Sequence, residues 1–293
     1  MPSNINHTII VRKSCRTYNQ EYLTPSDKKA LEEFIAQNKK VVSGDNINLT
    51  ILEKGLGEKK MKLAYGAIKG NKTYLLGTIK DDPIARLNYG YLMEKVMEKV
   101  VLRATELGVA SCWVGYFDHD YFNDIVLEKG FVIPGLVVIG YAAEKKTIPE
   151  KFMRYAIGAS QRLPWEKLFF NYNTLVPLST ATINKNSTCT LQKYSDSLEM
   201  LRLAPSASNT QPWRIFFDEK SDEFHFFKKP KNRIYESMGM HELDMGIAMA
   251  HFELASLNNG LNGSWITYSA IKTAQVPDEL QYIISWKSES QID

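Results

Sequence analysis

Residues 201–217 read Leu-Arg-Leu-Ala-Pro-Ser-Ala-Ser-Asn-Thr-Gln-Pro-Trp-Arg-Ile-Phe-Phe. The run passes from a helix end, through a turn dense in small polar residues, into an apolar strand. Pro205 presets φ, and Ser206, Ser208 and Asn209 bond nearby backbone, so all four favour turns. Residues 214–217 resume as a strand. Such a loop offers hydroxyls, a side-chain amide and backbone N–H groups at a fixed place, which suits a flat ligand with a polar edge. The same residues also suit an ordinary helix-to-strand turn, and composition alone leaves both readings open.

Around this stretch the chain alternates helices and strands. Residues 25–37 are expected to be helical, with Leu31, Phe34 and Ile35 at core spacing, Thr24 as cap and Pro25 at the first helical position. Strands are expected at 47–52, 73–80 and 136–141. A long helix is expected over 84–107, with Leu92, Val96, Met97, Val100, Val101 and Ala104 on one stripe and Gly108 ending it. A shorter helix is expected over 118–129. The polar, turn-rich residues 166–194 read as an irregular connection that wraps across the first half to cover Leu168, Phe169, Phe170, Tyr172, Leu175 and Val176. The element order then repeats: a helix at 195–203, a hairpin from 214–218 and 223–227, a long helix at 241–257 stopped by Gly260, and strands at 265–271 and 281–286. The division expected is 1–165, 166–194 and 195–293.

Composition narrows the function classes. The chain has 293 residues, a net charge of +3 and 44% hydrophobic residues, with Lys and Arg spread rather than blocked. That pattern gives no footprint for nucleic acid or an anionic membrane. No apolar run approaches the roughly 18 residues of a membrane span. Cys15, Cys112 and Cys189 fit neither zinc spacing nor a disulfide framework, and a reducing cytoplasm is the expected home. His241-Glu242 is followed by Met245 where a zinc helix needs His, so no metal is expected. His119, His225 and His251 are isolated and read as structural. Gly55-Leu56-Gly57 lacks the third glycine of a dinucleotide fingerprint.

Ala204, Pro205, Ser206, Asn209, Gln211, Pro212 and Trp213 resemble the Ala-Pro-Ser-x-x-Asn-x-Gln-Pro-Trp motif with which the FMN-dependent nitroreductase family contacts its flavin. Three further marks are similar to that family. Arg12-Lys13-Ser14-Cys15-Arg16 resembles its phosphate-holding opening, Glu106 to Gly115 its Leu-Gly-Leu-x-x-x-Trp-x-Gly segment beside the flavin ring, and Gln161-Arg162-Leu163-Pro164-Trp165 its late Arg-x-Pro element. The order of the marks is unusual, because the Ser/Asn loop follows all the others. Family members are intertwined homodimers with FMN at the subunit interface, so the resemblance implies two halves fused in tandem, a pseudo-dimer in one polypeptide. The fold implied is α+β and nitroreductase-like, two half-repeats with antiparallel-dominated sheets and long core helices. Residues 38–46 lack the Ser/Asn motif. The second half lacks a basic opening and has only a faint ring-segment echo over 259–265. One FMN per chain, and a monomer, are therefore expected.

The resemblance implies a set of site residues. Arg12, Lys13, Ser14, Arg16 and Arg162 would hold the phosphate. Cys112, Trp113, Val114 and Gly115 would lie along the ring. Pro205, Ser206, Ala207, Ser208 and Asn209 would meet the polar edge and ribityl chain, with Gln211 in contact or bracing the loop, while Trp213 reads as a core aromatic. It also implies ping-pong hydride transfer through flavin N5, from NADH or NADPH to a nitroaromatic, a quinone or another small electrophile. No side chain would be catalytic in its own right, because the flavin carries the chemistry. The alternatives are a non-catalytic flavin carrier and an oxidase-like or dehalogenase-like member of the same fold.

Overall fold

The computed structural model describes residues 5–37, 47–54, 68–107, 109–122, 125, 127–144, 158, 161–185, 189–231, 233–269, 271 and 276–289. By its internal contacts the chain divides into two units, Met1–Ser160 and Gln161–Asp293.

The first unit begins with helix α1 (Ile5–Val11), which the sequence reading missed because seven residues carry too little periodicity to register. Helix α2 (Pro25–Gln37) starts where Thr24 Oγ1 accepts the Asp27 N–H at 3.2 Å, and it buries Leu31 and Ile35. Strands β1 (Asn48–Glu53) and β2 (Thr73–Lys80) follow. Asp82 then caps the long helix α3 (Pro83–Leu107) by accepting the Ala85 N–H at 2.9 Å. Leu92, Val96 and Met97 of α3 are buried as expected. The side chains of Val100, Val101 and Ala104, and the whole of Gly108, lie outside the described residues. Buried Tyr89 ties α3 to the sheet: its hydroxyl accepts the Gly77 N–H at 3.0 Å and donates to Gly135 O at 2.7 Å. Strands β3 (Val109–Val114), β4 (Phe131–Val132) and β5 (Leu136–Tyr141) complete an antiparallel sheet in the order β1-β2-β5-β3, with β4 on β2.

In the second unit, β6 (Phe169–Asn171) pairs in parallel with β7 (Trp213–Asp218). Helices α4 (Thr180–Lys185), α5 (Cys189–Lys193) and α6 (Ser195–Arg202) lie between them in the chain. Strand β8 (Glu223–Lys228) forms the expected hairpin with β7, and the short helix α7 (Arg233–Ser237) leads into α8 (Met240–Asn258). Strands β9 (Gly263–Ile266) and β10 (Gln281–Ser288) close a sheet in the order β6-β7-β8-β10-β9. Every residue of α8 from Met240 to Ser256 is buried except Glu242, which makes this helix the centre of the unit. An aromatic cluster forms around Phe252, whose ring lies 5.3–6.3 Å from those of Tyr194, Phe224, Phe226, Trp265 and Trp286.

The two sheets share a topology. Strands β1, β2, β5 and β3 of the first unit correspond in chain order, sense and neighbours to β7, β8, β10 and β9 of the second, each with a long helix after its second strand. The sequence reading expected an element order that repeats, and the strand order is shared by the two units. The connections differ: Asp81 and Asp82 alone join β2 to α3, whereas residues 229–239 join β8 to α8.

Three expectations are corrected. Over 118–129 the described residues make only a single 3-10 turn, His119–Phe122. Asp118 Oδ1 accepts the Asp120 N–H at 3.1 Å and caps the start of this turn, whose Tyr121 N–H reaches Asp118 O at 3.2 Å in the i+3 pattern of a tight turn rather than the i+4 pattern of an α-helix. Within 166–194, β6 is a strand of the second sheet rather than irregular chain. Phe170, Tyr172 and Leu175 pack on Phe216, Phe227 and Val276 of that same unit, while Val176 is exposed. Finally, the strand expected over 265–271 stops at Ile266, where its pairing with β10 ends.

Phe252→Ala is expected to lower stability by about 3–5 kcal/mol, the range for deleting a buried aromatic. Chemical denaturation should show a reduced midpoint with an unchanged slope. A loss under about 1 kcal/mol would contradict the central position of this ring.

Candidate functional site

In the first unit the basic opening follows α1 directly, and Arg12 N–H bonds Thr8 O at 2.9 Å. The segment is then stitched to the sheet. Cys15 N–H donates to Ser111 O, Lys69 N–H to Arg16 O, Tyr18 N–H to Lys69 O and Ala143 N–H to Thr17 O, each at 2.9 Å. Gly70 makes this crossing possible: its φ is +80°, and a Cβ there would fall 2.2 Å from Tyr18 O. The Cys15–Ser111 bond brings the opening against β3, the strand that carries the ring-segment residues.

Strand β3 ends its sheet, with β5 as its strand partner. Successive residues of a strand aim their backbone groups to alternate sides. Ser111 O points away from β5 to Cys15, so the backbone groups of Trp113 point the same way. The side chains of Cys112 and Val114 are buried in the core beneath. By the same alternation the backbone groups of Cys112 and Val114 face β5, so within the strand Trp113 is the ring-segment residue whose backbone faces outward. Trp113 is half-buried, and its Nε1 donates to Oε2 of fully buried Glu94 at 2.5 Å. Gly115 follows the strand and is half-buried.

Among the basic residues, Lys13 is exposed, while Arg12 and Ser14 are half-buried. Arg16 is only 8% exposed, and its Nη1 has no hydrogen-bond partner among the described residues. A buried guanidinium N–H left unpaired is costly, and an anion is its natural complement.

In the second unit the structure brings together Arg162 and the Ser/Asn loop. Arg162 donates to Asn209 Oδ1 at 3.0 Å and to Leu203 O at 3.1 Å. Asn209 Nδ2 donates to Gln161 O at 2.7 Å, and Gln211 Oε1 accepts the Leu163 N–H at 2.8 Å. Gln211 thus braces the loop, and Asn209 does so as well. Within the loop, Ser206 Oγ accepts the Gln211 N–H at 2.9 Å and Ser206 O accepts the Asn209 N–H at 3.0 Å. Pro205, Ser206 and Ala207 are half-buried, and Ser208 is exposed. Ser208, Asn209 and Gln211 hold left-handed φ values of 46°, 57° and 49°. Such a concentration of sparsely populated conformations occurs where a site over-determines the backbone.

Several groups that set this geometry escaped the sequence reading. Asp244 Oδ1 accepts the Ala207 N–H at 2.9 Å, Lys231 Nζ donates to Thr210 O at 2.6 Å, and the Tyr235 hydroxyl meets Ser208 Oγ at 2.6 Å. Burial, and then the nearby Arg214, Lys229 and Lys167, hold the Lys231 ammonium below the usual lysine range. Burial also lowers Arg214, to about 10, although its Nη1 donates to Gln211 O at 3.1 Å. The available signal was a charged residue, Asp244, within the apolar run Leu243–Ala250 of a long helix. Trp213 is fully buried, a core aromatic. His225 Nδ1 lies 2.7 Å from Ser285 Oγ and His251 Nδ1 lies 3.0 Å from Met200 O, both structural contacts. Among the described residues no group of His, Cys, Asp and Glu is arranged to hold a metal, and no helix is long and apolar enough to cross a membrane.

Comparison with solved structures returns a "putative nitroreductase" of Thermotoga maritima, 16% identical, with a TM-score of 0.58 over 97% of this chain and 93% of that one. At that identity the likeness is one of fold. A nitroreductase of Bacteroides fragilis with bound FMN is 18% identical, with a TM-score of 0.39 over 49% of this chain and 91% of that one. One from Desulfitobacterium hafniense, also with bound FMN, is 18% identical, with a TM-score of 0.35 over 51% of this chain and 96% of that one. No curated protein matches the chain. The family described as "Putative TM nitroreductase" matches residues 4–256. That match runs through the stitched basic opening, the edge strand and the strained loop alike, and the chain belongs to this nitroreductase family.

Proposed function

We propose that this protein is an FMN-dependent oxidoreductase of nitroreductase type, drawing electrons from NADH or NADPH and passing them to a nitroaromatic, a quinone or another small electrophile. The observation that carries the proposal is Arg16, a buried guanidinium whose Nη1 lacks a partner among the described residues. The segment holding it is bonded to the edge strand of the ring segment through Cys15 and Ser111. A phosphate would complete this arginine, and backbone N–H groups beside it suit a polar ring edge. The donor set therefore fits FMN. Arg12, Lys13, Ser14 and Arg16 would bind the phosphate, and Trp113 and Gly115 would present backbone to the isoalloxazine. The loop of the second unit joins the proposal on its motif. Asn209, Gln211 and Arg162 hold that loop's shape, which leaves Pro205, Ser206, Ala207 and Ser208 as its contacting residues.

When bound, FMN supplies a two-electron carrier that takes hydride from a nicotinamide and yields it to an oxidant. The residues named here bind and orient it, and none is assigned a proton. We propose one FMN per chain, acting in a monomer built as an intramolecular pseudo-dimer. The support for that arrangement is the duplicated strand order, together with a basic opening in one repeat and a Ser/Asn loop in the other.

The purified protein is expected to be yellow and to bleach rapidly when mixed anaerobically with NADH or NADPH. Bound flavin that resists both donors would favour a carrier, and a colourless protein that takes up no FMN would sink the proposal. Arg16→Ala is expected to weaken FMN binding by about 1.5–3 kcal/mol, the scale of a hydrogen bond to a charged group. Titration calorimetry showing unchanged affinity would remove the phosphate role. Flavin released per chain should approach one, and a ratio near two would refute a single site.

A further inference from the structure

Buried polar side chains on α8 each have a partner. His251 meets Met200 O at 3.0 Å, Glu253 Oε2 accepts Trp265 Nε1 at 2.6 Å, and Ser256 Oγ donates to Phe252 O at 2.7 Å. These contacts tie the helix to α6, to β9 and to itself. Asp244 reaches elsewhere. Its carboxylate, on a residue 3% exposed, accepts the Ala207 N–H at 2.9 Å on Oδ1 and the Thr210 hydroxyl at 3.4 Å on Oδ2. The two attachments bracket Ser208 and Asn209, which hold left-handed backbone. Left-handed backbone is sparsely populated by non-glycine residues, serine above all, so the loop needs an external hold to stay in this form.

The bonds from Ser206 close the loop only on itself. Arg162 holds its Asn209 side, and Asp244 is its link to the central helix. We propose that Asp244 is the positioning residue of this loop, holding residues 206–211 from the buried helix in the conformation that presents them to the flavin. The inference rests on the flavin reading for what the loop meets. A carboxylate suits the task, because it accepts on both oxygens and its bond from an N–H is charge-assisted. Asparagine keeps one acceptor, and leucine keeps none. The charged and titratable groups near it are His241, whose Nδ1 is 3.7 Å from Oδ2, and Lys231, which grips Thr210 O.

The test uses the full chain with Asp244→Ala, Asp244→Leu and Asp244→Asn. Amide hydrogen exchange at residues 207–210 should be at least tenfold faster in D244A than in wild type. FMN affinity should fall at least tenfold, with a changed visible spectrum of the bound flavin. D244N should recover most of both, since Oδ1 can still accept from Ala207, which general loosening of the helix would not produce. D244L keeps the branched outline of the side chain without an acceptor and carries the same comparison if D244A does not fold. Unchanged exchange at 207–210 overturns the inference, and so does faster exchange with unaltered FMN affinity and spectrum. A wild type that takes up no FMN overturns the flavin reading. A wild type and a D244A variant that bind FMN equally well overturn this inference alone.

Discussion

Almost the whole of α8 is surrounded by protein, and everything in the second unit follows from that constraint. A helix buried on all sides has no solvent to satisfy its polar side chains, so each must find a protein partner or destabilise the fold. Glu253 finds the Trp265 indole, His251 the end of α6, and Asp244 the backbone of the Ser/Asn loop. The apolar positions between them seat the aromatic cluster around Phe252. The helix is therefore both the core of its unit and the frame from which the Ser/Asn loop hangs. A loop fixed to a core helix loses little conformational freedom when a ligand arrives, which is how a scaffold lowers the cost of binding.

The first unit meets a similar demand by a different device. Its basic opening is extended chain, and extended chain must place its backbone hydrogen bonds somewhere. It places them on Ser111, Lys69 and Ala143, each at the margin of the sheet. This fixes the direction of Arg16 without a helix of its own. The tight crossing between Gly70 and Tyr18 is the price of that route, and only a residue without Cβ fits there. The indole–carboxylate tether recurs as well. Trp113 bonds Glu94 of α3 as Trp265 bonds Glu253 of α8, so in each unit the strand after the long helix is tied to it by the same pair of groups.

How much was legible in the sequence depended on whether the determinant was local. Periodic elements were legible: helix 25–37 and strands 73–80 and 136–141 stand where their apolar spacing puts them. The braces were half legible. Gln211 could be read as bracing the loop from its motif, whereas the bracing bonds of Asn209 to Gln161 and Arg162 came only with the structure. Residues 118–129 read as a helix, but the chain there makes i+3 bonds, Tyr121 N–H to Asp118 O and Ile125 N–H to Phe122 O, a difference that short sequence patterns do not carry. Strand β6 was hidden for a different reason. Its three residues are too few to alternate visibly, and its pairing with β7 is set by a partner more than forty positions away. Asp244 was hidden because its meaning lies in a loop distant in sequence.

The two units share a strand order but differ in the segments that join the strands. A repeat of the same fold carries the same sheet wherever its central strands stay apolar and buried, as β2 and β5 do in one unit and β7 and β8 in the other. Loops are under no such constraint, and there the units differ. Only two residues join β2 to α3, while residues 229–239 join β8 to α8 and contribute Lys231 and Tyr235 to the Ser/Asn loop. The long connection and the strained loop support one another, because Tyr235 and Lys231 touch Ser208 and Thr210. A strained loop without that support, or that connection without a loop to brace, would lack its stabilising contacts. The two features belong to one device, which the second unit has added to the strand order it shares with the first.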